Sequence, residues 1–105
     1  MHQRRELQSL EMHRRIAARL ERDPDAVLAK AFANLDAWQE RHRGSALEPV
    51  FLEWRNLLGA LNPAEIGALI TAEDQRAIRL RQSSPFAGVL TPKEVWAIKK
   101  DHEAA

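Results

Sequence analysis

The side chains that could carry covalent chemistry are few. There is no cysteine; the serines are Ser9, Ser45, Ser83 and Ser84, and the histidines are His2, His13, His42 and His102. The serines lie in no G-x-S-x-G elbow, and the histidines show no H-E-x-x-H or similar metal spacing. Carboxylates are plentiful, but Asp23, Glu65, Asp74 and Glu94 each stand where a helix start needs a cap. The pattern predicts a protein that is not an enzyme, with no catalytic residues, no cofactor and no metal.

His13 falls on the apolar face of an amphipathic segment. Its functional reading is a partner contact or proton-sensitive switch. The favoured reading is a histidine that hydrogen-bonds within the core.

Two basic groups raise the question of nucleic acid. Residues 63–82 read as "PAEIGALI", a short turn and "EDQRAIRLRQ". Ile66, Gly67, Ile70, Ala77 and Leu80 would fill the apolar positions of a helix-turn-helix. Gln75, Arg76, Arg79 and Gln82 would then face DNA, with Arg81 on the same helix. Against this, the turn lacks glycine, and Glu73 and Asp74 would repel phosphate at the start of the reading helix. The other basic group is N-terminal. Residues 1–22 hold six arginines (Arg4, Arg5, Arg14, Arg15, Arg19, Arg22) against three glutamates. Such a face is solvated, or serves an acidic partner. The formal net charge of the chain is only +1, weaker than the basic bias of a dedicated nucleic-acid binder.

The elements that must position these residues are helical throughout, and no segment alternates with period two. At 105 residues the chain is expected to form one domain, residues 1–105. Leu10, His13, Ile16, Ala17 and Leu20 share the face of a first helix. Asp23 caps a second, opened by Pro24, with Leu28, Ala31, Phe32, Leu35 and Trp38 as its stripe and Gly44 as its stop. A third is expected from Pro49, with Val50, Trp54, Leu57, Leu58 and Leu61 inward. "LNPAEI" and "LTPKEV" are two copies of one start signal. Asn62 or Thr91 caps, proline opens, Glu65 or Glu94 closes a capping box, and Leu61–Ile66 or Leu90–Val95 staples it. "TAED" at 71–74 marks a further start, for a helix running to about Gln82. The fold class is therefore all-α, a compact bundle of five or six helices. Trp38, Trp54 and Trp96 are mostly core by position; one at the edge would anchor an interface. The N-terminus is too polar for a signal peptide, no apolar run would span a membrane, and the lack of cysteine fits a reducing cytoplasm.

The stretch "RLRQSSPFAGVLTPKEVWAI", residues 79–98, departs from this plain pattern. Ser83, Ser84 and Pro85 must end one helix before Thr91 begins the last. Phe86, Val89 and Leu90 are too apolar for water and are expected to fold back beneath the last helix, with Gly88 allowing the turn.

With "LEMHRRIAARL" at 10–20, Asp23-Pro24, Trp38 and Glu53-Trp54, the run from Arg81 to Trp96 resembles a group of small bacterial proteins carrying an R-Q-S-S-P-F-A-G-V-L-x-P motif. The resemblance spans nearly the whole chain. It implies an antitoxin-like module that binds and neutralises a partner protein encoded nearby, such as a nucleotidyltransferase-like toxin. No residue-level role comes with it. The stretch itself offers Arg79, Arg81, Gln82, Ser83, Ser84 and Phe86 as a partner-binding set, with polar groups to orient and an aromatic ring to anchor. The same residues also read as helix-end chemistry, with Arg81 on an exposed face. Both readings stand at the level of sequence, as does the DNA-binding alternative. Stoichiometry is open, an oligomer included.

Overall fold

Four of the five prolines stand at the first or second position of a helix, where a missing N–H costs nothing. The computed structural model describes residues 2–104. Among them run six helices and no strand: α1 (His2–Arg22), α2 (Pro24–Arg41), α3 (Glu48–Ala60), α4 (Pro63–Ile70), α5 (Gln75–Arg81) and α6 (Pro92–Ala104).

The helix boundaries follow from local chemistry. Asp23 accepts a hydrogen bond from the Ala26 amide, and Pro24 follows it as the first helical residue. α2 closes on His42, whose amide reaches the Trp38 carbonyl, and Gly44 turns the chain at φ +78°. The capping box of α4 is complete: Asn62 Oδ1 accepts from Glu65 N at 2.8 Å, and Glu65 Oε1 accepts from Asn62 N at 2.9 Å. Its copy at α6 is also complete, through Thr91 Oγ1 with Glu94 N at 3.1 Å and Glu94 Oε1 with Thr91 N at 2.9 Å.

One boundary differs from expectation: α3 begins at Glu48, one residue before Pro49. α5 is capped by Asp74, as its place in "TAED" predicts, the side chain accepting from the Ala77 amide at 2.8 Å. The Thr71 hydroxyl is used in the preceding helix, donating to the Gly67 carbonyl at 2.7 Å. A threonine that closes one helix on its own fourth-previous carbonyl is not free to start the next.

α1 is the spine, in contact with α2, α4, α5 and α6. Leu10, His13, Ile16 and Leu20 are buried along one of its faces. One cluster of buried side chains draws on all six helices, with Phe86 and Leu90 from the α5–α6 connection. At its centre Trp54 is fully enclosed, its indole N–H donating to the Leu80 carbonyl at 3.1 Å. The core faces of α2 and α3 are turned slightly from the expected stripes. Val27 and Phe51 are buried, while Leu28, Phe32, Trp38, Val50, Leu57 and Leu61 only partly cover the core. Trp96 is the larger departure: it is 62% exposed, with the Lys100 ammonium 4.9 Å from its ring centre. No described helix is long and apolar enough to cross a membrane.

Candidate functional site

The connection between α5 and α6 is fixed on three sides. Phe86 is buried and meets two rings edge-on, Trp54 at 5.8 Å and His13 at 6.4 Å. The chain then turns back, with Val89 N donating to Phe86 O at 3.1 Å and Gly88 at φ +85°. That positive φ selects glycine. From α2, Asn34 Nδ2 donates to the carbonyls of Pro85 and Ala87, each at 2.8 Å. From α1, Arg19 donates through Nη1 to the Val89 carbonyl at 3.0 Å and through Nη2 to Glu94 at 2.7 Å. The Thr91 amide first, and Arg19 second, hold the Glu94 carboxyl below its usual range.

His13 ties α1 to the same connection. The Ser9 carbonyl, 2.7 Å from Nδ1, can only accept, so Nδ1 carries the proton. Nε2 therefore accepts from the Ser84 hydroxyl at 2.8 Å, and Ser84 Oγ in turn accepts from Phe86 N at 3.3 Å. Burial pushes the imidazole pKa down to about 4; the Ser9 hydrogen bond opposes this and the Arg81 charge adds to it. A base that weak does little to activate a hydroxyl near neutral pH. The pair is a clasp between elements, as the core reading of His13 expects.

Arg81 overturns one expectation. It lies not on an exposed face but 6% exposed, at the end of α5. Its Nη1 donates to the carbonyls of Ile70 at 3.2 Å and Ala72 at 2.5 Å, closing the carboxyl end of α4 with a cation. Its Nε is buried with no partner among the described residues.

Arg79 is drawn away from the connection. Its guanidinium binds Glu53 bidentately at 2.9 and 3.0 Å, and Arg76 Nε lies 3.9 Å from the same carboxylate. The Arg79 hydrogen bond is the main cause that lowers the Glu53 pKa, and Glu53 raises that of Arg79. Of the DNA-facing set, Gln75 and Gln82 are exposed without that restraint. Their helix has only seven residues.

The remaining candidates gather around two concavities. Arg81, Gln82, Ser84 and Phe86 line a cavity of about 410 Å³ against the first half of α1. Gln82, Ser83 and Ser84 line a second, of about 310 Å³, with Trp38, His42 and Phe51. The second wall was not foreseen. Trp38 and His42 are four residues apart on α2 and its cap, and both rings lean on Phe51, at 5.6 and 5.8 Å. No group of three or more potential metal ligands exists among the described residues. In comparisons with family models, curated proteins and solved structures, nothing matches the chain.

Proposed function

We propose that the protein is an interaction module of antitoxin type, which binds a partner protein encoded nearby and masks it. The observation that carries the reading is the position of Gln82 and Ser84, shared by two concave surfaces, with Ser83 on the second. One surface has the buried Arg81 and Phe86 in its wall; the other offers Trp38, Arg41 and His42 over the buried Phe51, with Leu47 exposed at its edge. Aromatic and arginine side chains beside orienting polar groups are the composition that interface centres favour. The resemblance supplies the partner class, a nucleotidyltransferase-like toxin.

The DNA-reading alternative has less support. Arg76 and Arg79 share the Glu53 carboxylate, so two of the arginines that would reach base edges are already engaged.

The test is expression of the neighbouring gene with and without this chain. The expected result is growth arrest that the chain relieves, and co-purification of the two products. Leu47→Asp should abolish the complex while the melting temperature stays unchanged. A harmless neighbour that never co-purifies would remove the antitoxin reading. Binding to promoter DNA that weakens steeply with salt would favour the alternative.

A further inference from the structure

We infer that the cavity between the first half of α1 and residues 81–90 is a binding site for a carboxylate carried on an apolar body. Its volume, about 410 Å³, falls in the range of small-molecule sites, roughly 300–1,000 Å³. Two arginines, Arg5 and Arg81, line it, and no aspartate or glutamate does. The rest of the wall is mainly apolar, with Met12, Ile16, Phe86 and Val95 prominent.

Arg81 sets the chemical class. It is a buried cation, and the ion pairs of the described residues all lie elsewhere. Nη1 is committed to the carbonyls of Ile70 and Ala72, while Nε has no partner among the described residues. Nε is closed off from solvent as well as unpartnered, so an edge-on contact through Nε and Nη2 requires the cavity wall beside it to give way. Two parallel N–H bonds from such an edge match the two oxygens of a carboxylate. A buried charge without a counter-ion is costly, and an incoming carboxylate supplies the missing one. Of the other polar groups in the wall, both ring nitrogens of His13 are occupied and Ser84 Oγ already donates and accepts, while Gln8 and Gln82 contribute neutral amides. Arg5 is exposed at the rim and adds a second positive charge. Apolar walls with one bidentate cation favour a monoanion with a hydrocarbon body over inorganic phosphate, which brings no apolar surface. The carboxylate can belong to a free organic acid or to the end of a peptide chain.

The experiment uses ¹⁵N-labelled protein alone, so its outcome is independent of toxin neutralisation. The probes titrated are 3-phenylpropanoate, a short acetylated peptide ending in a free leucine carboxylate, the neutral amide of each, and inorganic phosphate. The Arg81 Nε–H resonance and the amides of Ser84 and Phe86 should move saturably with at least one of the two carboxylates. Saturation by phenylpropanoate assigns the site to free acids, and saturation by the peptide alone assigns it to chain ends. The neutral amide of whichever carboxylate binds should bind about tenfold more weakly than that carboxylate, the difference expected of a charge-assisted pair. Arg81→Lys should weaken binding about tenfold, because an ammonium has no such edge. Arg5→Gln should weaken it about threefold and reduce its salt dependence. Equal binding of acid and amide, phosphate binding as tight as the acid, or no movement of the Arg81 resonance with either carboxylate would each overturn the proposal. Should Arg81→Lys not fold, the acid-over-amide preference and the Arg81 resonance of the unaltered protein decide it.

Discussion

At the scale of single residues, His13 makes the sharpest claim. In the folded chain its pKa is about 4, against 6.5 for a free imidazole. The unfolded state therefore binds more protons between those values. Stability from this group is fully present above pH 6.5 and is lost as pH falls toward 4, by about 3 kcal/mol across the window. Glu53 and Glu94, both lowered, lose their contributions in the same direction at lower pH. Urea unfolding at a series of pH values measures this, and His13→Gln should flatten the curve between 6.5 and 4. A wild-type curve already flat there would remove the clasp. Two substitutions rank the connection's anchors. Phe86→Ala should cost about 3–5 kcal/mol, since it empties the space between Trp54 and His13. Arg81→Ala should cost about 2 kcal/mol, because two carbonyls at the end of α4 lose a charged donor. A cost below about 0.5 kcal/mol, the ordinary surface value, would place Arg81 back in solvent.

At the scale of elements, what the sequence discloses depends on where each hydrogen bond finds its partner. The two capping boxes were legible because cap, proline and glutamate stand within four residues of one another. Asn62→Ala and Thr91→Ala should each cost about 1 kcal/mol, and the double variant should cost their sum, since distant sites add. A non-additive result would mean that α4 and α6 share more than a common core. The bonds that shape the candidate site were not legible. Asn34 holds the carbonyls of Pro85 and Ala87, Arg19 that of Val89, and Arg81 those of Ile70 and Ala72. Every residue has a carbonyl, so such a contact leaves no mark on the acceptor's side chain. The donors leave a faint one: Asn34 lies between the buried Ala31 and Leu35, where an amide has no reason to be unless something polar faces it. Trp96 misleads for the opposite reason. Its aromatic type suggests core, but it lies about 160° around α6 from the buried Ile98 and about 100° from Val95, so it faces away from the core.

At the scale of the whole molecule, the candidate surface belongs to no single element. Of its two cavities, the larger needs α1, the α5–α6 connection and the start of α6; the smaller needs α2, α3 and the same connection. Because the cluster of buried side chains draws on all six helices, the surface exists only while the chain is folded as a unit. A partner that recognises it binds the native state and not the unfolded one, so binding and stability are linked. With free partner at 100 times its dissociation constant the linkage is worth about 2.7 kcal/mol. For a chain of 105 residues that raises the melting temperature by on the order of 10 °C. Leu47→Asp should remove the rise without lowering the melting temperature of the free protein, since Leu47 is 43% exposed at the edge of the smaller cavity. Calorimetry of the free chain, the complex and the variant measures all three. A partner that binds but leaves the transition of this chain where it was would show that it grips an unfolded segment instead, and that the paired concavities are not its target.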